Sequence, residues 1–275
     1  LRSDKCHGEN KTSITPNIDN LIKNGIYFDH TRISAPATAV AMSSIFTGLY
    51  PFKTGMGTDG YHKLNPTIPS YIKILKENGY HTYATAPDVA SDFGLTCDFE
   101  NNDSSYNNYF SLFAGLGDQV INRIKSGLPH SPWFFYLHIF DLHTPVIVPK
   151  NFDEKEFGDS QYEKMVSAID SWLGILLKTI DKTNTIVILT ADHGEYIPII
   201  KKNNVPVSLE SSSIEQKLWE LGNKIPSNLY PLKRKLGNVL HGTRKKIKSS
   251  KIAELDLSPY EKRILLDTRM GEGHR

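Results

Sequence analysis

An α/β fold built around a covered, mainly parallel sheet is what this 275-residue sequence predicts. Two continuous apolar runs lead to that reading, Trp133-Phe134-Phe135-Tyr136-Leu137-His138-Ile139-Phe140 and Thr185-Ile186-Val187-Ile188-Leu189-Thr190. Unbroken stretches of β-prone residues are what strands buried on both faces of a parallel sheet look like. Between them, about Gln161 to Lys182 reads as one long helix, which is enough chain for a right-handed crossover. Each run ends in polar chemistry, Asp141-Leu142-His143-Thr144-Pro145 after the first and Ala191-Asp192-His193-Gly194-Glu195 after the second. Open α/β sheets bind ligands at the C-terminal ends of their strands.

The elements follow in order. Thr15-Pro16-Asn17 has the form of a helix start, a cap residue followed by proline, with Ile18, Leu21 and Ile22 as an apolar stripe up to Asn24-Gly25. Ile26 to Ile33 reads as a strand and Ser34 to Thr38 as a small-residue turn. Ala39 to Phe46 carries a helical pattern in Val40, Met42, Ile45 and Phe46, stopped by Gly48. Thr38 therefore falls at a helix N-terminus, where unpaired amides and the helix dipole favour an anion. Ile68 to Glu77 is a further helix, Tyr80 to Ala84 a short strand, Phe93 to Asn108 a polar surface loop, and Phe110 to Lys125 a helix.

With 39% hydrophobic and 23% charged residues, the chain has the composition of a globular protein able to bury a full core. It reads as a single domain over residues 1–275 with an irregular insertion at about 196–270, where prolines 198, 206, 226 and 231 break the pattern. A net charge of +2 gives no global case for nucleic acid. Within the insertion, Lys233 to Lys251 holds eight basic residues and no acidic one, either a solvated face or a patch for an anionic partner. Cys6 and Cys97 make neither a disulfide framework nor a zinc-knuckle spacing. There is no apolar run of about 18 residues and no signal-peptide pattern. The abrupt start at Leu1 and stop at Arg275 read as a fragment truncated at both ends.

Asp oxygen and His nitrogen suit zinc, manganese and similar divalent ions, and Gly194 would let the backbone turn sharply beside one. Alone, Asp192-His193-Gly194 is equally well a capped strand end with a surface histidine. What changes the balance is company. Thr15-Pro16-Asn17-Ile18-Asp19, Phe46-Thr47-Gly48-Leu49-Tyr50-Pro51, Asp141-Leu142-His143-Thr144-Pro145 and Thr190-Ala191-Asp192-His193-Gly194-Glu195 occur in the order and spacing that resembles the sulfatase family of the alkaline phosphatase superfamily.

That resemblance implies an alkaline-phosphatase-like three-layer α/β/α sandwich, a divalent metal ion at the strand ends and a nucleophile at Thr38. In sulfatases proper the nucleophile is a Cys or Ser oxidised to formylglycine within Cys/Ser-x-Pro-x-Arg. Here the segment is Thr38-Ala39-Val40-Ala41-Met42, and threonine cannot become formylglycine. The segment instead resembles the branch with a plain threonine, which includes phosphoethanolamine and phosphoglycerol transferases and sulfatase-like hydrolases. The resemblance further implies Asp192, His193 and Thr38 as metal ligands, with zinc, manganese, calcium and magnesium all open. It makes His143 the histidine that contacts the transferred group or a second metal, and His274 the histidine that follows the Asp-His-Gly segment after an insertion. Each is able to protonate the leaving oxygen or steady equatorial oxygen charge. Asp59 and Lys63 lie where relatives keep substrate contacts. A first metal carboxylate would precede Leu1, and Asp4 matches a non-ligand position.

His7, His30, His62, His81, His130, His138 and His241 have no such alignment and read as background. The expected substrate is an anionic ester, as a lipid headgroup, glycan or small molecule, with no specific nucleic acid. An extracytoplasmic or membrane-associated setting goes with the resemblance. The competing reading is a catalytically silent module of the same fold that holds an anionic partner through the basic stretch.

Overall fold

The computed structural model describes residues 11–57, 62–103, 112–127, 131–143, 146–194, 200–202, 205–207, 249–250, 252–254 and 262. The chain divides into two compact units, Leu1–His193 and Gly194–Arg275. In the first, α1 (Pro16–Asn24), α2 (Thr38–Thr47), α3 (Pro51–Thr54) and α4 (Tyr71–Glu77) precede β1 (His81–Thr85), α5 (Asp88–Asp92) and β2 (Asn101–Asp103). Then come α6 (Leu116–Lys125), β3 (Trp133–Leu137) and α7 (Gln161–Thr179). In the second, β4 (Ile200–Lys202) pairs antiparallel with β5 (Val205–Val207), where Pro206 sits opposite Lys201.

The sheet of the first unit is parallel, in the order β2-β1-β3. Tyr83 lies beside Phe135 and Ala84 beside Tyr136, so strand alternation gives each face its own partners. On one face Ala84, Phe134 and Tyr136 join a core with Met42 and Phe46 of α2 and Ile72 of α4. Phe46 is fully buried and meets Tyr71, Phe99 and Tyr136 edge-on, at ring separations of 6.0, 5.9 and 5.0 Å. On the other face the Arg123 guanidinium of α6 covers the rings of Tyr83 and Phe135, 5.7 and 5.8 Å from their centres. Helices on both faces of a parallel sheet confirm the α/β reading.

The long helix α7 starts on a side-chain cap: Ser160 Oγ accepts from the Glu163 amide at 3.2 Å and donates to Glu163 Oε2 at 2.9 Å. Its partner α1 is capped in a way the local sequence does not reveal. Thr15 holds the cap position without making a side-chain cap bond. The buried carboxylate of Asp170, on α7, accepts instead from the Ile18 amide at 2.7 Å, the Asn17 amide at 3.1 Å and Asn17 Nδ2 at 2.9 Å. Gly174 makes room for this contact: a Cβ there would lie 2.6 Å from Asn17 Nδ2.

Three expectations need correction. The run 185–190 forms no strand, and Ile186, Ile188 and Leu189 are exposed. Among the described residues no strand pairs with it, and an apolar run without a ladder neighbour on either side has no sheet to be buried in. Residues 26–33, read as a strand, are likewise exposed and belong to no strand. Conversely β2 emerges inside the polar stretch read as loop, because the ladder with Tyr83, Ala84 and Thr85 overrides the poor strand propensity of Asn and Asp.

Candidate functional site

The site begins at the N-terminus of α2. Thr38 is the first helical residue rather than the cap; the cap position belongs to Ala37, extended at φ −139° and ψ 135°, whose side chain accepts nothing. Ala41 is the first amide to enter the helical ladder, at 2.8 Å from the Ala37 carbonyl. The positive end of a ten-residue helix is thus left without a side-chain acceptor from its cap. At the other end Gly48, at φ 67°, closes the helix through its amide to the Ser44 carbonyl at 2.8 Å.

Across from Thr38 stands the Asp192-His193 turn. His193 is buried and its amide donates to Asp192 Oδ1 at 2.9 Å. Thr38 Oγ1 lies 2.9 Å from His193 Nε2, and Asp192 Oδ2 lies 3.2 Å from the same nitrogen. This is not a nucleophile-His-Asp relay, in which the carboxylate would hold Nδ1 and leave Nε2 to the hydroxyl. One imidazole nitrogen has a single proton or a single lone pair to offer, yet two oxygens converge on it. Asp192 Oδ2 is buried and makes no hydrogen bond to a described residue.

An orphaned carboxylate oxygen and a hydroxyl, each within contact distance of one imidazole nitrogen, are donors of the kind a divalent cation takes. Ligand bonds of about 2.0–2.2 Å place neighbouring ligand atoms roughly 2.8–3.6 Å apart, depending on whether the angle at the ion is octahedral or tetrahedral. Among the described residues no group of three or more His, Cys, Asp and Glu is suited to hold a metal; the cluster here has two such residues, Asp192 and His193, beside a threonine hydroxyl.

β3 supplies the second side of the site. The His138 amide donates to the Thr85 carbonyl at 3.0 Å, carrying the parallel ladder one residue past the strand. Its buried ring accepts or donates at Nδ1 to Tyr136 Oη, 2.9 Å away. Burial pushes the His138 pKa down, with His193 and His143 acting in the same direction and the Asp192 charge opposing them. Burial, then the Asp192 charge, raises the Tyr136 phenol well above its ordinary value. Phe140 lies between two imidazoles, 6.0 Å from His138 and stacked on His143 at 4.6 Å. Asp141 plays a structural part, since both its carboxylate oxygens accept from the Leu112 amide, at 3.0 and 3.2 Å.

A sequence model described as Sulfatase matches residues 5–225, well over half of the chain. The chain belongs to the sulfatase family. Among curated sulfatases it is 24% identical to an ulvan-active sulfatase of Formosa agariphila over 234 residues, 66% of this chain and 46% of that protein. To human arylsulfatase D it is 27% identical over 136 residues, 45% of this chain and 22% of that one. The chain therefore spans less than half the length of these relatives. Among solved structures, the lipoteichoic acid synthase LtaP of Listeria monocytogenes superposes with a TM-score of 0.45 at 19% identity, over 64% of this chain and 48% of that one.

Within this sulfatase-family chain the structure brings Thr38, Asp192 and His193 together directly, and places His143 within electrostatic reach of His138. His274, Asp59 and most of the basic stretch 233–251 lie outside the described residues. Lys63 is exposed, and no described contact ties it to Thr38 or Asp192. The residue missed in the sequence is His138. A signal was present: it keeps the period of Phe134 and Tyr136, the face of β3 turned to α2, and so is delivered to the same side as the α2 N-terminus.

Proposed function

We propose that this site cleaves or transfers a phosphate or sulfate ester through Thr38, with Asp192, His193 and Thr38 holding a divalent metal ion. The observation that carries the reading is the convergence of Thr38 Oγ1 and Asp192 Oδ2 on His193 Nε2, at 2.9 and 3.2 Å. The ion, when bound, supplies Lewis-acid charge beside the attacking and nonbridging oxygens. Thr38 gives up its hydroxyl proton to water, and its oxygen forms an ester bond to phosphorus or sulfur. The bond to the leaving oxygen breaks, and that oxygen keeps the electron pair and takes a proton. Water or an alcohol then attacks the same centre, breaks the Thr38 ester and restores the hydroxyl. The uncapped α2 terminus faces the developing negative charge with its amides.

His143 is assigned to the leaving oxygen or the transferred group, and stacking on Phe140 fixes its ring. His274 has the same assignment by resemblance alone. The substrate is an anionic ester, and an extracytoplasmic or membrane-associated setting belongs to this proposal. No helix among the described residues is long and apolar enough to cross a membrane.

The test is turnover and mass spectrometry on the protein at its full natural length. Thr38→Ala is expected to lower kcat at least about a thousandfold, the scale for deleting a covalent nucleophile, while Thr38→Ser keeps measurable activity. A quenched reaction should add one phosphoryl- or sulfuryl-sized mass to the peptide bearing Thr38. Normal turnover by Thr38→Ala refutes the reading, and Asp192→Ala with undiminished metal content refutes the ligand assignment.

A further inference from the structure

His138 adds to the site just proposed, and the case for it rests on that reading. The Tyr136 hydroxyl and His138 Nδ1 are 2.9 Å apart, and such a bond can run either way. Among the described residues neither Tyr136 Oη nor His138 Nε2 has another hydrogen-bond partner. If Nδ1 carried the proton the phenol would accept and the phenol's own proton would be the unpaired one; with the phenol donating, the unpaired proton is the one on Nε2, which a bound anion can accept. With the phenol donating, Nδ1 is the acceptor and the imidazole proton sits on Nε2.

The surroundings favour the same state. Burial keeps the phenol protonated and the imidazole neutral. The charged and titratable groups acting on His138 are Asp192, His193 and His143, the side chains of the proposed reaction site. A neutral ring adds no positive charge to compete with a metal ion there. It offers a fixed N–H donor on the ring atom away from Tyr136.

We propose that His138 is a further substrate-contacting residue: the Tyr136 hydroxyl holds its proton on Nε2, from which it donates to a nonbridging oxygen of the bound sulfate or phosphate group. Tyr136 is then a positioning residue, and Phe46, packed on its ring at 5.0 Å, ties that position to the helix bearing Thr38.

Two measurements test this on the metal-loaded protein at its full natural length. The first is the 15N shift pattern of the His138 ring, expected to show the Nε2–H tautomer, and to show a mixture of tautomers in Tyr136→Phe. An Nδ1–H tautomer in the unmodified protein overturns the proposal. The second is calorimetric titration with inorganic phosphate and inorganic sulfate. His138→Leu should weaken binding of the anion about ten- to hundredfold, the range for losing one hydrogen bond to a charged group. His138→Gln, whose amide nitrogen reaches the place of Nε2, should stay within about fivefold of the unmodified protein on the same scale.

Equal affinity in His138→Leu overturns the proposal, as does Gln failing to do better than Leu. If Leu does not fold, judged by thermal unfolding, the tautomer and the Gln variant decide. Full turnover by Thr38→Ala together with anion loss in His138→Leu would sink the threonine reaction and leave the His138 donor standing. The reverse pair of results would do the opposite.

Discussion

The stretches 133–137 and 185–190 are nearly interchangeable as sequence, yet they end in different states. Trp133 to Leu137 is β3, in parallel register with β1 from His81↔Trp133 to Thr85↔Leu137. Residues 185–190 run without a ladder, and Ile186 and Ile188 are 90% and 80% exposed. Hydrophobicity says that a segment is suited to burial; a neighbouring strand and a covering helix decide whether it is buried. β3 has β1 on one side and α2 above it. As the outer strand of the order β2-β1-β3 among the described residues, it is half-buried rather than buried on both faces as expected, and it ends at Leu137. The second run has only Val187 leaning on the Ile18, Leu173 and Leu177 cluster of α1 and α7. Both runs nevertheless deliver histidines to one site, His138 and His193.

The largest effect is expected where the first run is covered. Phe46 is fully buried, and its ring joins α2 to Tyr136 of β3 and to Tyr71 and Phe99. Phe46→Ala should lower unfolding free energy by about 3–5 kcal/mol, the range for removing a buried aromatic ring. Urea unfolding followed by circular dichroism measures it. A loss under about 1 kcal/mol would mean that α2 does not hold β3 in place.

Much of this was legible in the sequence, and the failures have physical causes. The helices from Pro16, Thr38 and Gln161 start within a residue of where the Pro16 start, the small-residue turn and the long helix read from about Gln161 place them. Thr38, Asp192 and His193 meet as expected although the runs before them behave differently, because the position of Thr38 is set by a helix end and that of Asp192 by a local turn. The Asp170 cap was not legible, since its donors lie about 150 positions away and only packing brings them together. His138 was passed over because it stands outside the matching motifs, although it keeps the period of Phe134 and Tyr136; its meaning comes from Tyr136 and from the groups across the site.

An intermediate effect is expected where the second run is supported. Asp170 is buried and holds the first turn of α1 against α7 through the amides of Asn17 and Ile18 and the Asn17 side chain. Asp170→Ala leaves those donors without their acceptor and removes a helix cap, together about 2–3 kcal/mol. Asp170→Asn should recover part of this, since one oxygen still accepts. Thermal unfolding of the two variants ranks them, and equal losses would show that the negative charge matters more than the acceptor.

The smallest effect separates neighbouring residues of the open run itself. An extended segment sends alternate side chains to opposite sides, so Val187 reaches the α1 and α7 cluster while Ile186 and Ile188 face outward. Ile186→Thr and Ile188→Thr remove no contact that folding makes, and each should change stability by less than about 0.5 kcal/mol. Val187→Ala loses two partly covered methyl groups and should cost about 1 kcal/mol. The ratio matters more than either value, because a chain without alternation would give three similar numbers. If Ile188→Thr proved the costliest of the three, at about 2 kcal/mol or more, its side chain would have to be buried in solution. The run would then be a covered strand after all, and the contrast with β3 would fall with it.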